Sequence, residues 1–183
     1  MNLPNKLTVS RIFLTFMFML FLFSDGLTAR ILALAVFLTA SLTDLWDGYL
    51  ARKYNMITDF GKFMDPIADK ILTLSAFFAF IQLGLVPAWM VVIIVFREFI
   101  VTGLRLFALT KKRVLPAEEG GKHKTVSQMT AIFLILAFLI FKEIGLKVPG
   151  FWIPAVMLVT TALTLISGAS FLYRNRAIFV NNK

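Results

Sequence analysis

Apolar runs long enough to cross a bilayer recur along the chain, separated by short polar or Gly/Pro breaks, and a span of about 20 mostly apolar residues is what a membrane helix needs. The first run extends from Leu7 to Phe23 and stops at Ser24-Asp25-Gly26. A second starts near Leu27, stays apolar to Leu42, and continues into a polar helical extension carrying Asp44, Asp47 and Arg52. The third reverses that order: polar from Gly61 through Asp65 and Asp69, then apolar to Leu83, where Gly84 and Pro87 break the chain. A fourth is expected from Ala88 to Leu109, a charged loop from Lys111 to Lys124, a fifth helix from Thr125 to Phe141 and a sixth from Phe151 to Tyr173. The pattern predicts an all-α polytopic membrane protein with six transmembrane helices, forming one domain over residues 1–183. A cleavable leader would compete for the first run, but Arg11 lies inside it and no small-residue cleavage site follows.

Composition strengthens this reading. Of the 183 residues, 59% are hydrophobic and 20 are Phe, with a mean hydropathy of +0.84. Soluble domains run at roughly 45–50% apolar. With no Cys, disulfides, thiolate metal sites and thiol nucleophiles are excluded. The 19 Lys and Arg against 10 Asp and Glu give a net charge of +9, which suits either nucleic acid or an anionic membrane surface. In so apolar a chain the membrane is the expected partner and nucleic acid is not.

The distribution of these cations predicts orientation. With the N-terminus inside, 15 of them fall on cytosolic segments and three, Arg30, Lys142 and Lys147, on outside turns, leaving Arg97 within a span. That asymmetry puts both termini in the cytosol, together with the polar ends of the second and third helices. Trp46, Trp89 and Trp152 are expected near the interfaces, and His123, the lone histidine, in a solvated loop.

Ionisable groups at a membrane edge are costly unless paired or hydrated, which makes them candidates for function. Four of the ten acids fall in one window: Asp44 and Asp47, three apart, and Asp65 and Asp69, four apart. Each pair shares a helix face. Carboxylates gathered in this way repel one another and need cations to stay ionised. All-oxygen donors select a hard divalent ion, Mg2+ or Mn2+, and four acids suit a two-metal site with ions about 4 Å apart. Gly48 and Ala51 allow a ligand close to the backbone, and Arg52 can grip a diphosphate. A single Asp near a helix end more simply reads as a cap or solvated surface, and Asp59 reads that way.

The string Asp44-x2-Asp47-Gly48-x2-Ala51-Arg52-x8-Gly61-x3-Asp65-x3-Asp69 resembles, at every fixed position and spacing, the signature of the CDP-alcohol phosphotransferase family. The stretches Asn2–Arg11, Thr58–Lys70, Arg97-Glu98-x4-Gly103-Leu-Arg105 and Gly121-Lys122-x-Lys124-Thr125-x2-Gln128 are similar to the branch whose acceptor is glycerol 3-phosphate. One departure is the acidic stretch Pro116–Glu119. The resemblance implies a six-helix, dimeric enzyme of the cell membrane with its site facing the cytosol. It would transfer the phosphatidyl group of CDP-diacylglycerol to sn-glycerol 3-phosphate, releasing CMP. It also implies that Asp44, Asp47, Asp65 and Asp69 hold two divalent cations, with Asp69 also the general base, and that Gly48, Ala51, Arg52 and Thr58 contact the CDP group, with Asn5 and Thr8 beside them.

The dianionic acceptor calls for further cations, and Arg105, Arg113, Lys122 and Lys124 are the candidates. Ordinary positive-inside topology explains the same basic residues, and Glu98, Thr102 and Arg105 share a face on which Arg105 could form a structural ion pair. Arg97, about 100° round that helix, is expected to pair with a core acid. Two other readings stay open: a sister enzyme with another acceptor, and a cation transporter. Transport sites, however, tend to sit at the bilayer midplane on interrupted helices.

Overall fold

The computed structural model describes the backbone of residues 3–53, 59–110 and 119–176, and side chains within 9–43, 67–68, 70–108 and 121–176. Among the described residues the structure is all-helical, with α1 (Leu3–Phe23), α2 (Leu27–Lys53), α3 (Asp59–Gln82), α4 (Ala88–Thr110), α5 (Glu119–Glu143) and α6 (Trp152–Arg174). The six elements agree with the hydrophobic pattern. On length and apolarity alone, two pass as membrane-crossing among the described residues, in α5 and α6. Arg97, Glu98 and Arg105 interrupt the apolar sequence of α4.

Two helices start more than a turn earlier than expected: α1 at Leu3, four residues before Leu7, and α5. The charged loop was expected to reach Lys124, but α5 already begins at Glu119, so Lys122, His123 and Lys124 lie on a helix and not in a loop. Hydropathy marks where a helix becomes apolar, whereas helix formation needs only a satisfied backbone. Here Thr125 Oγ1 donates to the Gly121 carbonyl at 3.0 Å, inside the polar first turns. His123 remains exposed, as expected.

The chain divides into two compact units, Met1–Gln82 with Ile132–Gly150, and Leu83–Ala131 with Phe151–Lys183. In the first, α1 packs against α2 and α3, and α2 also touches α3. The turn between α1 and α2 spans three residues, which makes the two helices antiparallel, and Gly26 supplies the positive φ of 97° that it requires. The packed face of α1 repeats every three or four residues through Arg11, Thr15, Phe18 and Leu22; that of α2 runs through Ala33, Phe37 and Ala40. Phe18 and Phe37 meet with ring centroids 5.6 Å apart. Arg30 closes the end of this unit by donating to the Leu22 carbonyl in the last turn of α1 and approaching Glu143 at 3.4 Å. It thereby satisfies a carbonyl that the helix end leaves without an internal donor.

α5 is terminated just past Glu143 by Gly145, whose φ is 79°. The Leu146 N–H returns to the Phe141 carbonyl at 3.0 Å and the Gly145 N–H to that of Lys142 at 3.2 Å, a Schellman termination.

In the second unit α4 packs on α6. Between the buried Met157 and Phe171, the inward face of α6 is built of small or hydroxylated residues, Thr160, Thr161, Thr164, Ser167 and Gly168. The three threonines return their hydroxyls to carbonyls four residues back, at 2.7–2.9 Å, so that buried oxygens are satisfied within the helix. Outward faces are strongly apolar: Phe13, Phe16 and Leu20 on α1, and Val92, Phe96 and Phe99 on α4, are all exposed.

Candidate functional site

α2 continues as unbroken helix from the apolar core through residues 44, 47, 48, 51 and 52. α3 begins at Asp59 and is helical through residues 65 and 69. The four aspartates thus lie on two helices of the same unit that are in contact, at register positions three and four apart. Their side chains, with those of Gly48, Ala51, Arg52, Asn5 and Thr8, fall outside the described residues, as do Thr58 and Arg113 altogether. The donor set is purely carboxylate oxygen, which fits a hard divalent cation. Among the described residues no other group of three or more acids or histidines could hold a metal ion.

The second unit contains a buried polar cluster centred on Glu98. This carboxylate, 3% exposed, forms an ion pair with Lys124, 5% exposed, on α5. Its Oε1 lies 3.2 Å from Arg97 Nη1 and accepts from Gln128 Nε2 at 3.4 Å. Gln128 also donates to Thr164 Oγ1 at 3.3 Å, and Arg97 Nη2 donates to Ser167 Oγ at 2.8 Å. α4, α5 and α6 are thereby linked through one set of charges and hydroxyls. Gly168 makes room for it: a Cβ there would stand 2.7 Å from Arg97 Cγ.

The expected acceptor-binding cations therefore differ from one another. Lys124 is buried against Glu98, Lys122 is exposed on α5, and the exposed Arg105 lays its guanidinium 5.4 Å from the centre of the Phe171 ring. Glu98 turns to Arg97 and Lys124, so the shared face of α4 does not by itself choose its partner. Arg97 pairs with its own chain neighbour. Sequence reading underrated Glu98 as the organising group. The signal available was an acid embedded among Val95, Phe96, Phe99 and Ile100, where an ionised carboxylate requires cationic partners.

Comparison with known proteins identifies the family of the chain. The family model described as CDP-alcohol phosphatidyltransferase matches residues 1–166. The chain is 44% identical over 147 residues to a CDP-diacylglycerol--glycerol-3-phosphate 3-phosphatidyltransferase of Bacillus subtilis, covering 74% of this chain and 76% of that one. It is 43% identical over 178 residues to a probable phosphatidylglycerophosphate synthase of Mycobacterium tuberculosis, covering 94% and 81%. A CDP-diacylglycerol--glycerol-3-phosphate 3-phosphatidyltransferase of Rickettsia typhi is 38% identical over 171 residues, covering 93% and 94%. The family match takes in all four aspartates and residues of both compact units, and the chain accordingly belongs to the CDP-alcohol phosphatidyltransferase family.

Proposed function

We propose that this protein transfers the phosphatidyl group of CDP-diacylglycerol to the hydroxyl of sn-glycerol 3-phosphate, giving phosphatidylglycerophosphate and CMP. The observation that carries the reading is the spacing of Asp44, Asp47, Asp65 and Asp69 on two touching helices, in a chain whose relatives bear that activity in their names.

Asp44, Asp47, Asp65 and Asp69 would hold two divalent cations, Mg2+ or Mn2+, which when bound supply charge neutralisation to the diphosphate and the departing CMP. Arg52 holds a diphosphate oxygen by charge-assisted hydrogen bonding, and Gly48 and Ala51 admit the nucleotide to the helix backbone. Asn5, Thr8 and Thr58 complete the contacts to the CDP group. Asp69 accepts the proton of the glycerol hydroxyl as its oxygen attacks the lipid-side phosphorus; the bond from that phosphorus to the CMP oxygen breaks. Arg105, Arg113, Lys122 and Lys124 form the acceptor-phosphate set, with the buried pair to Glu98 fixing where the Lys124 ammonium stands.

The chain serves as one functional domain, a homodimer in the cell membrane with six spans, both termini and the site on the cytosolic side. Support comes from the exposed phenylalanines and leucines, which suit lipid as their surroundings, and from the cation asymmetry.

The test is CMP release by detergent-purified protein given CDP-diacylglycerol, Mn2+ and a panel of acceptors. Glycerol 3-phosphate should be preferred, and Asp69→Asn should abolish release while the protein keeps its melting transition. Preference for inositol phosphate, serine or phosphatidylglycerol would reassign the acceptor. No release with any alcohol would remove the enzyme reading.

A further inference from the structure

Arg11 is only 1% exposed and lies on the packed face of α1, in line with Thr15, Phe18 and Leu22. Burying a guanidinium is costly unless an anion faces it. Helix register shows what lies level with it. Seven residues make about two helical turns, a rise of about 10.5 Å that returns to the same face within about 20°. Starting from the observed contact of Phe18 with Phe37, one such step back along α1 reaches Arg11, and one step forward along α2 reaches Asp44. Because α1 and α2 are antiparallel, both steps lead toward the same end of the pair. Position 11 therefore stands to position 44 as Phe18 stands to Phe37. The packed face of α2, running through Ala33, Phe37 and Ala40 in steps of four and three, continues in the same steps to positions 44 and 47.

We propose that Arg11 is a positioning residue for the carboxylate cluster, balancing the charge at its Asp44 end. This deepens the proposed function and rests on its metal site. Before metal binds, four carboxylates at the end of an apolar helix pair repel one another. A fixed cation in the adjoining helix layer holds that end of the cluster together without occupying a coordination position. The same charge opposes the arriving divalent ions, so Arg11 lowers metal affinity while stabilising the metal-free protein.

Full-length protein in detergent tests this through thermal unfolding in EDTA and across a Mn2+ titration. Arg11→Met should unfold at a lower temperature than wild type in EDTA and recover toward it at saturating Mn2+. Its half-saturating Mn2+ concentration should fall by about threefold or more, since one opposing charge is gone. Arg11→Lys, which keeps the charge, should follow the wild-type pattern. An equal loss of stability in EDTA and in Mn2+ would make Arg11 a packing residue only and overturn the proposal, as would a Lys variant that behaves like Met. If Arg11→Met does not fold in EDTA, the Arg11→Met/Asp44→Asn double variant decides. Recovery of a folded protein supports the pairing, and continued failure overturns it. A wild-type protein indifferent to Mn2+ would remove the metal site and the proposal with it, whereas a metal-responsive wild type matched by Arg11→Met would overturn the role of Arg11 alone.

Discussion

Gly168 shows two residue-level effects acting in opposite directions. In a helix interior, Gly→Ala ordinarily gains about 1 kcal/mol from reduced backbone freedom. Here the added Cβ would meet Arg97 Cγ at 2.7 Å, in the middle of a side chain whose far end donates to Ser167. Overpacking of this kind costs about 1–3 kcal/mol and should outweigh the gain. Gly168→Ala is therefore expected to lower the melting midpoint by roughly 2–4 °C per kcal/mol of net loss. A raised midpoint would show that Arg97 swings aside freely. Nothing in the local pattern around Ser167-Gly168-Ala169 announces this contact, because its partner lies some 70 residues earlier on another helix.

Among the elements, α4 and α5 are linked by Glu98 and Lys124, a buried ion pair across 26 residues of sequence. Breaking a buried pair by removing one partner costs about 3–5 kcal/mol, whereas replacing both with apolar groups of similar size is often close to neutral. Glu98→Met and Lys124→Met should thus each lower the melting midpoint, and the double variant should lie above the sum of the two losses. Strict additivity, within about 0.5 kcal/mol, would mean that the pair contributes no coupling. The helices themselves were legible from hydropathy, with α2 and α6 starting within a residue of expectation. α5 was not, because its first turns are polar and a search for apolar runs cannot detect a helix before its apolar part begins. The carboxylate helices were legible for the complementary reason that polar residues at three- and four-residue spacing interrupt otherwise apolar helices.

For the whole molecule, the orientation proposed from the cation asymmetry has a direct test, since the chain has no cysteine to mask a single introduced one. Lys147→Cys, in the exposed segment after α5, should react with a membrane-impermeant maleimide on intact cells. Lys183→Cys should react only after permeabilisation. The reverse result would place the carboxylate ends of α2 and α3 on the outer side and remove them from a cytosolic nucleotide-lipid. By itself, the sequence determined the helical class, the apolar runs and the candidate chemistry, because local hydropathy and the fixed spacing of Asp44, Asp47, Asp65 and Asp69 are properties of neighbouring residues. Only the tertiary structure decided that Glu98 takes Lys124 and Arg97, that Arg105 rests on Phe171, and that Arg11 is buried on the packed face of α1. Those choices depend on which helices pack together and at what register, and a buried charge takes its partner from the helices packed against it as well as from its own.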